Sequence, residues 1–460
     1  MKKLISSNPA KDYEFVGEVA ISTDEEIIEK VTAANKAKSV WKETNIKERI
    51  EFLKPIFEEF KARADEISLL TTKETGIALS ESQANTSGHL VKIKWFLDNV
   101  ELALADEITS EDDKSIHKII YEPIGTAAVI TPWNHPFGMF VWGVIPNLLA
   151  GNTVVFKISE ECPLVGKLIE EIMSNHNLPT GIFSEIYGAG DVGWQLVNEK
   201  IDLIWFTGST KTGQQLYKLA GEKFIKAILE LGGSNPCIVF EDADIEKIIS
   251  KIYIKRFKLC GQTCDALKRL IIHRSVFNEV VEKLKNEIES KKTGDPENLE
   301  TNIGSLAAQR QLTLLEGQVR DAVDKGAKII TGGAPLNNIN GAYYLPTLLT
   351  NISKDMRIWH EEVFGPVLPV ISFETEEEAI SLANDTIYGL GAIIFTNDAA
   401  RAMRVASKIA SGTVEINNTT HWLSCNPFGG YKKSGMGREH GIAGFRELCQ
   451  LKVVSMDKFR

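Results

Sequence analysis

The chain lacks an apolar run long enough to cross a bilayer. Its most hydrophobic stretch, Phe137 to Gly151, is short and is broken by Pro146 and Asn147, whereas a transmembrane helix needs about 20 apolar residues. Little at the start resembles a secretion signal either: Lys2 and Lys3 are followed by Ser6, Ser7, Asn8 and Pro9 before any sufficient apolar segment. These absences predict a cytoplasmic protein with no membrane partner. Basic charge is in deficit, with 52 Lys and Arg against 62 Asp and Glu and a formal net charge of -10. Such a balance opposes nonspecific attraction to nucleic-acid phosphates, although a local basic pocket stays open. Cysteine is sparse and unpatterned. Cys162, Cys237, Cys260, Cys264, Cys425 and Cys449 form no regular framework, and a reducing cytosol keeps such residues as thiols. Only Cys260 and Cys264 are close, without a second Cys/His pair at zinc spacing, so no metal is expected. Internal repeats, low-complexity tracts and long linkers are missing too.

What is present is the composition of an ordinary globular protein, 43% hydrophobic and 25% charged with 35 Gly and 15 Pro. A length of 460 residues exceeds one hydrophobic core and predicts two large domains. The first hundred residues read as helical, with one amphipathic run from Asp24 to about Trp41 and another from near Lys47. From Ile119 the texture changes. Strand candidates Ala127 to Thr131, Thr153 to Lys157, Glu185 to Tyr187, Leu203 to Thr207 and Ala227 to Leu231 alternate with helix candidates Leu164 to Ser174, Asp191 to Glu199 and Lys211 to Gly221. This rhythm predicts an α/β fold with a parallel sheet covered on both faces, and ligands on such sheets sit beyond the carboxyl ends of the strands. A boundary is expected near Gly232 and Gly233. The rhythm then resumes with a helix face at Ile245, Ile248, Ile249 and Ile252 and strands near Leu267 to Ile272 and Ala327 to Ile330.

Three constellations carry chemistry. In Gly261-Gln262-Thr263-Cys264 the thiol is a candidate nucleophile, provided its thiolate is stabilised; the bland alternative is an inert buried cysteine. In Leu229-Glu230-Leu231-Gly232-Gly233 a carboxylate ends an apolar strand, just before a glycine pair that permits a sharp turn. Burial would lift its pKa toward the working range of a general base, against the alternative of a solvated or ion-paired strand end. In Thr131-Pro132-Trp133-Asn134-His135-Pro136 the Asn134 amide offers an N–H to a developing oxyanion, or is a turn residue.

Trp133-Asn134, Lys157, Thr207-Gly208-Ser209-Thr210, Glu230-Leu231-Gly232-Gly233 and Gly261-Gln262-Thr263-Cys264 occur in one order, and in that order the sequence resembles the aldehyde dehydrogenase superfamily. The likeness runs from Asn8-Pro9-Ala10 through Glu361-Glu362-Val363-Phe364-Gly365-Pro366-Val367 to Pro427-Phe428-Gly429-Gly430-Tyr431-Lys432-Lys433-Ser434-Gly435-Met436-Gly437-Arg438-Glu439. The resemblance implies a Rossmann-type cofactor domain (1-107 and 124-232), an α/β catalytic domain (233-433) and a small β oligomerisation element (108-123 and 445-460). It implies NAD(P)-dependent oxidation of an aldehyde to the acid: Cys264 forms a thiohemiacetal and then a thioester, Asn134 and the Cys264 backbone N–H hold the oxyanion, and Glu230 activates the hydrolytic water. Glu439 matches a second acid proposed in relatives as a proton relay, with a salt bridge as the alternative.

For the cofactor, Gly208-Ser209-Thr210-Lys211-Thr212-Gly213 follows a strand and opens a helix, so free N–H groups face a pyrophosphate. The resemblance assigns Ser209 and Gly208 there, Lys157 to the adenosine ribose, Glu362 to the nicotinamide ribose, and Phe364, Trp133 and Gly232 to the same cleft. Glu160 matches an acid that accepts from the ribose 2'-OH and repels a 2'-phosphate, so NAD is expected over NADP; the alternative is a helix-opening acid before Pro163.

Two departures bear on substrate. Relatives acting on succinate semialdehyde place Arg where this chain has Trp142 and Lys258, which weakens a bidentate carboxylate clamp while Lys258 keeps a point charge. Trp142, Trp422 and Phe428 match pocket positions of relatives acting on apolar or cationic aldehydes, whereas the sequence around Cys264 and near Gly430 is similar to succinate-semialdehyde enzymes. His421, beside Trp422, either tunes the pocket or, as expected, is exposed on a loop. Cys260 invites a protective disulfide with Cys264, or is a packed thiol. A CoA-acylating enzyme usually lacks the base that Glu230 matches, and a noncatalytic relative would not need Cys264, Glu230 and Asn134. The family pattern implies a homodimer or homotetramer, through the strand Val453 to Met456 and a hairpin near Ile116 to Glu122.

Overall fold

The computed structural model describes residues 2–336, 340–417 and 419–458. One sheet has six strands in the order Gly435–Met436, Lys226–Glu230, Leu203–Thr207, Thr126–Ile130, Thr153–Lys157 and Phe183–Ile186. All are parallel except the two-residue edge strand Gly435–Met436. The runs Thr153-Val-Val-Phe-Lys157 and Leu203-Ile-Trp-Phe-Thr207 are buried at every position, which is why they read as continuous apolar segments rather than alternating ones. Alternation decides the face instead. Ala127, Val129, Leu203, Trp205 and Ile228 pack with the helices Pro136–Ala150 and Pro163–Ser174, while Ala128, Ile204, Phe206 and Leu229 pack with Asp24–Glu43, Gly190–Asn198 and Thr210–Lys223. The five strands and three helices expected between residues 127 and 231 are all observed, Thr153–Lys157 and Leu203–Thr207 with the expected bounds and the others with ends displaced by at most two residues.

A second sheet has the order Lys328–Thr331, Thr347–Thr350, Val367–Phe373, Leu267–His273, Asn235–Val239, Gly391–Phe395 and Thr413–Ile416. Its strands are parallel except for the edge strand Lys328–Thr331, and it has its own hydrophobic cluster. A third, antiparallel sheet joins Cys449–Asp457 to the hairpin Glu107–Glu111 and Ser115–Pro123 of the same chain. The largely helical reading of the first hundred residues needs correcting at its start, where Lys3–Asn8 and Glu14–Ala20 form a hairpin. These strands carry charged and polar residues at half-exposed positions, so no helical or strand period marks them. The helices after them begin where their caps dictate: Thr23 accepts from the Glu26 N–H, and Asn45 with Glu48 forms a reciprocal capping box.

Candidate active site

The segments singled out in the sequence lie at the carboxyl ends of the first sheet's strands. Asn134 follows Thr126–Ile130, Lys157 ends Thr153–Lys157, Gly208 and Ser209 follow Leu203–Thr207, and Glu230 ends Lys226–Glu230. Cys264 arrives from elsewhere, on the turn just before the strand Leu267–His273. That turn is held from inside. The Gln262 side chain donates to the Leu259 carbonyl at 3.3 Å and accepts from the Ala307 N–H at 3.0 Å. Leu259 and Cys260 both adopt positive φ, 54° and 57°, a strained arrangement for residues with a Cβ. Gly261 at φ 70° passes so close to Gly365 that a Cβ there would lie 2.4 Å from its carbonyl oxygen.

Nucleophile, base and amide are brought together. The Asn134 side-chain NH2 donates to the Gln262 carbonyl at 3.0 Å, two residues before Cys264, and keeps its second N–H. The glycine pair after Glu230 adopts no left-handed conformation; it serves close approach instead of the sharp turn expected. A Cβ on Gly233 would sit 2.4 Å from the Cys264 carbonyl oxygen, and one on Gly232 would sit 2.4 Å from Glu362 Oε2. Glu230 is 2% exposed, and neither carboxyl oxygen has a hydrogen-bond partner among the described residues. Burial, then the charge of Glu439, pushes its pKa well up, with Arg438 opposing. Glu439 is also buried and without a hydrogen-bond partner among the described residues, with its pKa pushed up to about 8 by burial; no Arg or Lys pairs with it among them, and its one ionic neighbour is His440 at 3.9 Å, whose ring burial holds neutral. Burial, followed by Asp265, raises the Cys264 thiol well above the ordinary thiol range, Lys268 opposes this, and the charge of Glu230 adds to it. All six cysteines are free thiols, and Cys260 packs in the hydrophobic cluster of the second sheet.

Glu362 Oε1 accepts from the Gly233 N–H at 3.0 Å and from Lys268 Nζ at 2.5 Å. Lys268 lies 4.8 Å from the centroid of the Phe364 ring, which meets Trp133 edge-on at 5.6 Å. Ser209 caps the helix Thr210–Lys223 by accepting from the Thr212 N–H at 3.2 Å. Lys157 is buried and spends one donor on the Ile158 carbonyl, at 3.0 Å, leaving the rest of its ammonium for another acceptor. Glu160 precedes the helix Pro163–Ser174 rather than opening it, and lies 3.7 Å from Arg310, which also pairs with Glu161. Backbone held at close approach by glycine, a capped helix start and a buried lysine with spare donors fit a dinucleotide.

A cavity of about 520 Å³ runs beside this turn, with Thr263 and Asp265, the neighbours of Cys264 in the chain, in its wall; Cys264 itself is not among the lining residues. Trp142, Lys258 and Trp422 line it as expected. Phe428 does not; it is buried behind Trp422, stacked on it at 5.0 Å. His421 is not an exposed loop residue either. Its Nδ1 lies 2.7 Å from Glu415 Oε1 and its ring stacks on Phe428 at 5.7 Å, with the same carboxylate also paired to Lys255. Five wall residues from the helix Leu79–Ala103, Ala84, Asn85, Gly88, His89 and Lys92, escaped the sequence reading. Their signal is a buried polar stripe, Ser82, Thr86, His89 and Lys92, in helical spacing beside the apolar face Ile93, Phe96, Leu97 and Val100.

The aldehyde dehydrogenase family profile matches residues 2–454. The chain is 36% identical over 454 residues to betaine aldehyde dehydrogenase from Bacillus subtilis (strain 168), covering 97% of this chain and 92% of that protein. It is 33% identical over 425 residues to the NADP(+) succinate-semialdehyde dehydrogenase of Deinococcus radiodurans, covering 92% and 89%. Among solved structures, betaine aldehyde dehydrogenase from Staphylococcus aureus in complex with NAD+ superposes with a TM-score of 0.94 at 33% identity, covering 99% of this chain and 91% of that one. The fold, its cleft and these likenesses over nearly the full length agree: the chain belongs to the aldehyde dehydrogenase family.

Proposed function

We propose that the chain oxidises an aldehyde to the carboxylic acid with Cys264 as nucleophile, Glu230 as general base and Asn134 as oxyanion donor. The observation that carries this reading is the buried, unpartnered carboxyl of Glu230, close enough for its charge to act on the Cys264 thiol. An aldehyde entering the cavity meets the sulfur; once the thiol has released its proton to solvent, addition of the thiolate to the carbonyl carbon puts negative charge on oxygen, for which the Asn134 N–H and the Cys264 backbone N–H are the donors. A bound nicotinamide dinucleotide supplies the hydride acceptor. Glu230 then takes a proton from the water that attacks the thioester, and the acid leaves with the thiol restored.

In this reading residues 1-107 and 124-232 hold the dinucleotide, with Lys157 on the adenosine ribose, Ser209, Gly208 and the helix start on the pyrophosphate, and Glu362 on the nicotinamide ribose. Residues 233-433 supply the thiol, and 108-123 with 445-460 join subunits of a homodimer or homotetramer. Glu160 favours NAD, its carboxylate repelling a 2'-phosphate. Rapid mixing of enzyme, NAD and aldehyde tests the roles. Glu230→Gln is expected to retain a burst of NADH of no more than one per subunit and to lose steady turnover by roughly a thousandfold; Cys264→Ala is expected to lose both. Steady turnover by Cys264→Ala would remove the mechanism.

A further inference from the structure

The two tryptophans of the cavity are already engaged. Trp142 and Trp422 stack at 5.4 Å, and the Lys92 ammonium lies 5.0 Å from one ring centroid and 5.2 Å from the other. Lys92 is 6% exposed, yet it lines the cavity wall, and its Nζ is 3.2 Å from His440 Nδ1. Burial holds the His440 ring neutral, so that nitrogen can accept the lysine's proton as a hydrogen bond. The aromatic faces that would bind a cationic head group therefore hold a cation belonging to the chain.

The remaining charges of the wall point the same way. Four lysines, Lys92, Lys251, Lys255 and Lys258, face two carboxylates, Asp265 and Glu415. Both carboxylates are engaged within the protein: Glu415 with Lys255 at 2.6 Å and with His421, and Asp265 with the Trp422 indole N–H at 2.8 Å. Glu439, the acid whose charge reaches Lys92, is itself held protonated by burial up to about pH 8, so it does not cancel the ammonium at neutral pH. Lys92 retains its charge over the same range, its pKa being lowered only to about 8.

We infer that Lys92 is a specificity-determining residue that fills the aromatic clamp of the cavity, turning away cationic aldehydes and favouring aldehydes that carry a carboxylate at the far end. A trimethylammonium or primary ammonium group would have to displace Lys92 from the rings or lie against it in a partly desolvated space, where like charges repel strongly. A carboxylate in the same place gains Lys92 and Lys258 together as point charges, without a bidentate arginine. This inference rests on the cavity being the aldehyde site of the proposed function.

The test compares kcat/KM for succinate semialdehyde, butanal and 4-trimethylammoniobutanal in the wild-type enzyme, Lys92→Met and Lys92→Arg. The expected order for the wild type is anionic, then neutral, then cationic. Lys92→Met is expected to lower the anionic-to-neutral ratio about tenfold and to raise the cationic-to-neutral ratio by a similar factor, while Lys92→Arg keeps the wild-type order. A wild-type preference for the cation, or ratios unmoved in Lys92→Met, would overturn the inference. Loss of all three activities in the wild type would instead refute the aldehyde reading, and calorimetric binding of butanoate against choline then decides the charge preference alone: butanoate must bind the wild type more tightly, and the difference must shrink in Lys92→Met. If Lys92→Met fails to fold, Lys92→Gln is read by the same ratios.

Discussion

Glu230 and Glu439 are two buried carboxyls whose charges bear on each other, and the order of their ionisation sets the pH at which the base works. Ionised Glu439 raises the pKa of Glu230, Arg438 lowers it, and Lys92 lowers that of Glu439. Since both values are raised, the proposed base is protonated at low pH and activity climbs as pH rises through the neutral and alkaline range. In Glu439→Gln the neighbouring charge is gone, so Glu230 ionises at lower pH and the rising limb of the kcat profile is expected to move down. A limb that stays in place or moves up would show that Glu439 does not act on the base. On the cofactor side, Glu160 lies 3.7 Å from Arg310. Glu160→Gln removes the carboxylate proposed to repel a 2'-phosphate while leaving the guanidinium, and is expected to tighten NADP relative to NAD by roughly tenfold, about 1.4 kcal/mol, read as dissociation constants from protein fluorescence. An unchanged ratio would separate Glu160 from cofactor choice.

At the scale of an element, the start of the helix Pro163–Ser174 is held by segments distant in the sequence. Its cap residue Cys162 makes no side-chain capping bond; instead the Glu74 carboxylate accepts from the Leu164 and Val165 N–H groups at 2.9 and 2.8 Å and from Ser6 at 2.5 Å. Glu74→Ala leaves buried N–H groups unmatched at a helix start, and is expected to cost about 2 kcal/mol of unfolding free energy in urea titration. A change below the scatter of that measurement would mean water replaces the carboxylate fully. Such a cap could not be read in the sequence, because donor and acceptor are 90 residues apart. The strands and helices between residues 127 and 231 were legible for the opposite reason: each is a short apolar run bounded by glycine, proline or polar residues, and its period is local. In the second sheet, Thr347–Thr350 and Thr413–Ile416 have four residues each, too few for either period to declare itself. The motif residues Asn134, Glu230 and Cys264 stood out through their order along the chain. Lys92 did not, since a lysine on an amphipathic helix ordinarily faces water, and it is buried by tertiary packing, of Leu79–Ala103 against Pro136–Ala150 and of Trp422 and His440 over it.

On the scale of the whole molecule, the chain closes on itself around the base. Gly435–Met436 returns across more than two hundred residues to pair with Leu229 and Glu230, and Ser434 donates to the Gly232 carbonyl at 2.7 Å. The last strand, Cys449–Asp457, pairs on one side with Ser115–Pro123 and lies at the sheet's edge, a place where an exposed ladder invites another chain. Leu451 and Val453 stand two residues apart on one face of it, 59% and 62% exposed, opposite Tyr121 and Ile119. Apolar side chains on an open edge strand are what the proposed subunit contact would cover. Replacing both by lysine keeps the strand's own pairing to Ser115–Pro123 but places two charges where burial would be required. The wild-type protein is expected to sediment as a dimer or tetramer and Leu451→Lys/Val453→Lys as a monomer, with the far-ultraviolet circular dichroism unchanged. A doubly substituted protein of unaltered mass would move the subunit contact to another face, and a monomeric wild type would leave the edge strand without a partner of its own kind.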